Sequence, residues 1–187
     1  MTNATQNWEN ASGEVTGIPQ WYALTVKHQH EFPAQIALRL KGHETLLPTY
    51  RARREWSDRT VERELPLFSG YVFCRFPHRE RATVLDTPGV GRIVGFGGNH
   101  TPVAEQEIAA IQTIMASKVA AHPWPYLRAG DRVRVARGPL RGLEGTLAEE
   151  NDGARLVVSV ELLGRSIAVR MEPDLVAPAR LYRSAGA

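Results

Sequence analysis

A change of hydrophobic rhythm divides this chain of 187 residues in two. Up to about residue 118, short β-rich runs alternate with stretches of helical spacing; from about residue 128 only strand alternation remains. Between them lies His122-Pro123-Trp124-Pro125-Tyr126, whose prolines disfavour both a continuing helix and a central strand. Residues 19–118 are therefore expected to form one domain, 119–127 a linker and 128–180 a second, smaller domain. Residues 1–18 are polar and rich in Asn, Thr, Ser and Gly, which predicts a flexible tail.

The first domain opens on Trp21-Tyr22-Ala23-Leu24-Thr25-Val26, a short β-rich run. Phe32, Ile36 and Leu40 then recur at i, i+4 and i+8, predicting a helix with one apolar stripe over His28 to Lys41; Pro33 fits its first turn and Gly42 its end. Leu46-Leu47-Pro48-Thr49-Tyr50 reads as a second strand, its proline confined to an edge or a strand start. From Arg51 to Glu64 charges alternate around Trp56, Ser57-Asp58-Arg59 and Val61, the pattern of a solvated hairpin. Leu67 to Phe76 is the strongest strand signal, with aromatics at Phe68, Tyr71, Phe73 and Phe76 for both faces. A short helix over Arg79 to Leu85, a turn at Thr87-Pro88-Gly89 and a strand from Gly91 to Phe96 follow. A helix from Ala104 to Ser117 is expected to bury Ile108, Ile111 and Met115. Helices interleaved with hairpins point to an α+β fold rather than a doubly wound sheet.

In the second part, Val133 and Val135 alternate with Arg132 and Arg134, Gly138-Pro139 and Gly142 mark a turn, and Gly145-Thr146-Leu147 opens another strand. Leu156, Val158, Val160 and Leu162 alternate with Val157, Ser159, Glu161 and Leu163, and Ile167, Val169 and Met171 do the same. Several short strands in so small a span favour a barrel, because closure removes exposed edges.

Composition narrows the function. The formal charge of +3 argues against a histone-like coat on nucleic acid while leaving room for local contacts. The lone Cys74 forms no internal disulfide and reads as a buried strand residue, since nothing nearby would activate its thiol. His28 and His30 lack a third metal ligand in the neighbourhood, Gly95-Phe96-Gly97-Gly98 lacks dinucleotide-binding spacing, and no nucleophile or phosphate-cradle motif stands out. An enzyme is thus the least supported reading, and no cofactor is called for. No apolar run is long enough to span a membrane, so a cytoplasmic, membrane-free monomer is the expectation.

Three segments in this order resemble the NusG family of transcription elongation factors. They are Trp21-Tyr22-Ala23-Leu24-Thr25-Val26-Lys27-His28-Gln29-His30-Glu31; Pro66-Leu67-Phe68-Ser69-Gly70-Tyr71-Val72-Phe73, followed by Thr87-Pro88-Gly89-Val90; and Gly130-Asp131 through Gly138-Pro139 and Gly142 to Gly145, ending with Leu163-Gly164-Arg165-Ser166. The third is similar to a KOW motif on an SH3-like barrel. The resemblance implies an N-terminal antiparallel sheet with flanking helices, the NGN domain, which docks on the clamp helices of the RNA polymerase β-prime subunit through stiff aromatic side chains. On the matching strands these are Trp21, Tyr22, Phe68, Tyr71 and Phe73, although aromatics on a strand are more often core, and Phe68 and Tyr71 differ by an odd step. The factor is then expected to hold the clamp closed and reduce pausing, by binding the active elongation complex in preference to the paused one.

Members resembling RfaH contact the displaced non-template DNA strand near the first helix, which implicates Lys27, His28 and His30; Arg79 and Arg81 form a second candidate pair. Solvated helix-start residues remain the plainer reading of the histidines. On the barrel, the surface that recruits Rho or the ribosomal protein NusE corresponds to Leu140, Leu163 and Arg165. General members carry aromatics where this chain has Leu140 and Leu163, and Phe-Pro-Gly-Tyr where it has Phe68-Ser69-Gly70-Tyr71. Lost aromatic area weighs against Rho recruitment and leaves contact with NusE through Arg165 open. The pattern is closer to operon-specific antiterminators of the UpxY and RfaH kind. Strand alternation and the glycines of the second domain predict a barrel without a switch to helix. The alternatives are a housekeeping member coupling polymerase to Rho or the ribosome, and a ribosome- or RNA-binding KOW protein.

Overall fold

The computed structural model describes residues 17–55, 60–124, 131–150, 153–172 and 175–179; the expected tail up to residue 16, Trp56 to Arg59, and Pro125 to Gly130 lie outside the described residues. Strand β1 (Gln20–Val26) is followed by α1 (Glu31–Leu40), β2 (Glu44–Leu46), β3 (Thr49–Glu55), β4 (Thr60–Pro66), β5 (Tyr71–Phe76), α2 (Arg81–Leu85), β6 (Val90–Ile93), β7 (Gly95–Phe96), β8 (Asn99–His100) and α3 (Glu105–Ser117). The second half adds β9 (Ala121–Trp124), β10 (Asp131–Val135), β11 (Glu144–Glu150), β12 (Gly153–Val160), β13 (Arg165–Arg170) and β14 (Val176–Pro178).

The first sheet has the order β2-β5-β1-β6, with β1 antiparallel to both neighbours. Trp21 pairs with Arg75 and Thr25 with Tyr71, so the N-terminal end of β5 sits beside the C-terminal end of β1. Strand alternation then separates the side chains. Trp21, Ala23 and Phe73 face α3, where Ile108, Ile111 and Ile114 are buried; Tyr22, Leu24, Val72, Cys74 and Phe76 form a second buried cluster with Leu38 of α1 and Val84 of α2. In α3 the third core position is Ile114 rather than the expected Met115, which is only partly buried.

The expected strand from Leu67 to Phe76 is broken. Gly70 takes φ +84°, a left-handed conformation that lets Leu67 to Gly70 turn before β5 begins. The side chain of Glu31, 5% exposed, accepts a hydrogen bond of 2.9 Å from the Gly70 amide and ties the start of α1 to that turn.

An apolar helical stripe ordinarily faces the core. In α1 it does not: the buried face is Glu31, Ala34 and Leu38, while Phe32, Ile36 and Leu40 are 37%, 58% and 84% exposed. The two faces share the helical period, and in the orientation adopted the i, i+3, i+7 set faces inward, with Glu31 bonded to Gly70.

The second half is an SH3-like barrel of strand order β14-β10-β11-β12-β13-β9. Its interior is Val133, Val135, Leu140, Leu143, Leu156, Val158, Val160, Ile167 and Val169. Gly145 is required where β11 crosses β12, since a Cβ there would lie 2.6 Å from the Val157 carbonyl oxygen. Within the expected linker 119–127, residues Ala121–Trp124 form β9 and pair with β13. Among the described residues no helix is long and apolar enough to cross a membrane.

Candidate partner-binding surface

Of the five aromatics expected to face the polymerase, Tyr71 alone is partly exposed; Trp21, Tyr22, Phe68 and Phe73 are 3%, 3%, 1% and 0% exposed. In this arrangement the five do not share one exposed surface. Tyr22 points to the opposite face of the sheet, its ring 4.7 Å from Phe76, and burial raises its phenol above the ordinary value. Phe68 folds back edge-on to Phe73 at 5.5 Å. Trp21, Phe68 and Phe73 belong to one buried cluster that runs through α3 into barrel residues including Val133, Val158 and Ile167.

The barrel meets the sheet domain at Tyr71. The guanidinium of Arg165 lies over the Tyr71 ring at 5.4 Å, and a crevice of about 400 Å³ there is lined by Leu67, Tyr71, Pro123, Trp124, Leu163, Gly164, Arg165 and Ser166. Leu163 is partly buried and Arg165 exposed, so these two candidate partner residues of the barrel flank the one aromatic of β5 that reaches solvent. Leu140 does not join them. At 2% exposure it turns inward after the Gly138-Pro139 bend and fills the barrel core, where an apolar side chain gains most by leaving water.

Two further contacts hold the halves together. Tyr50 packs edge-on to His122 at 5.9 Å. The carboxylate of Glu107 on α3 accepts a 3.0 Å hydrogen bond from the Glu161 amide; burial, and secondarily the nearby Glu161 carboxylate, raise its pKa. A wider groove of about 1020 Å³ beside it runs between α3 and the barrel, lined by Glu107, Thr113, Arg132, Arg141, Ser159 and Glu161 among others.

The nucleic-acid candidates fall into two groups. Lys27, His28 and His30 are all exposed in the loop before α1, with the Lys27 amide bonded to the Gly89 carbonyl and the His30 ring packed on Gly89. Arg79 and Arg81 are exposed beside a histidine pair that sequence reasoning missed: a ring nitrogen of His78 lies 3.1 Å from one of His100. Their separation of 22 positions leaves no local signal. The His100 imidazole is pushed below its ordinary pKa by burial, then by His78 and Arg81. Burial also pushes the Cys74 thiol up to about 12, which makes it an inert core group. Among the described residues no three His, Cys, Asp or Glu side chains converge as metal ligands.

The described residues thus form a helix-flanked antiparallel sheet followed by a small barrel, packed on each other through the contacts above. A family model described as "Transcription termination factor nusG" matches residues 19–112, half of the chain. The transcription termination/antitermination protein NusG of Thermus thermophilus is 28% identical over 175 residues, covering 82% of this chain and 95% of that one. The protein of the same description from Vibrio parahaemolyticus is 28% identical over 170 residues, covering 82% and 92%. In fold, the chain is similar to a Thermotoga maritima NusG structure solved for its domain interaction, with a TM-score of 0.52 and 21% identity over 86% of this chain and 97% of that one. The chain belongs to the NusG family; it is a transcription termination/antitermination factor and not an enzyme.

Proposed function

We propose that this factor binds the clamp helices of RNA polymerase through the surface centred on Tyr71, and that the barrel covers this surface until the polymerase displaces it. The single observation that carries the reading is the stack of Arg165 on Tyr71. It places the one partly exposed aromatic of β5 against the barrel side chains expected to meet other partners, so the two surfaces are used in exchange for each other. An aromatic flanked by Leu67, at the edge of a buried cluster, supplies stiff apolar area of the kind that anchors interfaces. Once bound, the factor promotes processive elongation and reduces pausing, with Lys27, His28, His30, Arg79 and Arg81 available to the non-template strand.

An operon-specific role is favoured over a housekeeping one. With Leu140 inside the barrel, the expected partner residues left at its surface are Leu163 and Arg165, and neither supplies the aromatic that general members carry there. Binding of the full chain to core polymerase tests the docking: Tyr71→Ala is expected to lower affinity and Arg165→Ala to raise it. If Tyr71→Ala binds as the parent does, docking at this surface is wrong. Transcript mapping after gene deletion tests the role, with loss confined to distal genes of one long operon expected and a genome-wide change contradicting it.

A further inference from the structure

The exposed stripe of α1 is used by neither the core nor the barrel. Phe32, Ile36 and Leu40 are spaced one helical turn apart and become more exposed toward the C-terminal end. Helical rise gives the row a length of about 12 Å. It lies on the outer side of a helix whose Leu38 packs on the sheet face opposite that of Trp21 and Phe73.

Lys27, Arg39 and Lys41 put positive charge around it. Lys27, His28 and His30 are exposed at one end and Arg39 and Lys41 at the other. The only acid of the helix, Glu31, is buried and engaged with Gly70. Arg39 donates from Nε to the Thr45 hydroxyl and Lys41 from Nζ to the Thr83 carbonyl, bonds to neutral acceptors that fix the heads without cancelling their charge.

We infer that this face of α1 docks an acidic amphipathic helix of a partner protein, whose apolar anchors seat on Phe32, Ile36 and Leu40 and whose carboxylates meet Arg39 and Lys41. Helix-on-helix recognition uses anchors at this spacing, and opposite charge at the rim sets partner choice. A second copy of the chain is the wrong occupant, because it would bring like charges together. A nucleic acid is also disfavoured: single-stranded bases stack on rings, and two of the three side chains, Ile36 and Leu40, have none. A membrane surface calls for a broader apolar face than one row of three. Lying on the sheet face away from Tyr71, this site remains available whether or not the barrel covers that residue, and it does not depend on the polymerase reading.

The test is a titration of the isotopically labelled full chain, followed by amide resonances, with a synthetic amphipathic peptide bearing leucines at i, i+3, i+4 and i+7 and glutamates elsewhere. Shifts centred on α1 are expected, weakened by added salt. The pairs Ile36→Asp with Leu40→Asp, and Arg39→Glu with Lys41→Glu, should each weaken binding at least about tenfold. All four sites are exposed, and unchanged spectra away from α1 verify the fold. Equal binding of a peptide with lysine in place of glutamate, shifts located elsewhere, or indifference to both pairs overturns the inference. So does a stronger α1 response to a single-stranded oligonucleotide or to phosphatidylglycerol vesicles.

Discussion

The guanidinium of Arg165 rests 5.4 Å from the ring centroid of Tyr71, joining the barrel to the first residue of β5. A cation over an exposed tyrosine is worth about 0.5–1 kcal/mol, enough to shift a domain equilibrium a few-fold without locking it. Fluorophores placed on the two domains are expected to show a more open population in Arg165→Ala. Arg165→Lys should recover part of the closure; if both variants match the parent, the stack does not govern closure.

Leu38 and Leu40 are two positions apart and opposite in burial, at 0% and 84% exposure. Leu38→Ala is expected to cost about 2–5 kcal/mol by urea denaturation, the range for emptying a packed core site. Leu40→Ala should stay within about 0.5 kcal/mol of the parent, as surface substitutions do. Equal losses at both positions would mean that the stripe is covered in solution.

Removing the carboxylate of Glu31 leaves the Gly70 amide without its side-chain acceptor in a largely buried turn. Glu31→Ala is expected to destabilise by about 1–3 kcal/mol, and Glu31→Gln, which keeps an acceptor, by less. Hydrogen exchange at the Gly70 amide reports the loss directly and should quicken most in the alanine variant.

The paired rings of His78 and His100 predict an acid sensitivity. The His100 pKa is lowered on folding, so its contribution is present above the ordinary histidine value of 6.5 and is lost as pH falls below that value through the folded pKa. Thermal stability should therefore drop with acidification in this window, and His100→Gln should flatten the drop. An unchanged slope in that variant would assign the sensitivity to another group.

Glu107 works in the opposite direction. Its pKa is raised in the closed arrangement, so its contribution is full below the ordinary carboxyl value of 4.5 and fades as pH rises through the higher folded pKa. Mild acidity should favour contact between α3 and the barrel. Glu107→Gln should remove that pH dependence in the same fluorophore pair, and its persistence would exclude this carboxyl as the cause.

Local chemistry made much of this fold legible. The strand at Trp21 to Val26, the helix over Ile108 and Ile111, and the alternation at Leu156 to Val160 each follow from spacing within a few residues. Choices between equivalent local solutions were not legible. The α1 sequence puts its larger apolar side chains on one face and buries another, whose Glu31 meets Gly70, 39 positions away. Leu140 follows a turn that could direct it either way, and the barrel core claims it. The stack of Arg165 on Tyr71 and the pair His78–His100 arise only after the chain has closed on itself. For the candidate surface, sequence named Tyr71, Leu163 and Arg165, but could not show that they meet.

Strand β9 begins four residues after the last residue of α3 and belongs to the barrel's edge. While its residues stay paired with β13, the barrel hangs on a very short tether and its local concentration at Tyr71 is high. Each residue that unzips from this edge lengthens the tether by about 3.3 Å. The volume the barrel can search after release is thus metered by the fraying of one edge strand, in steps of single residues.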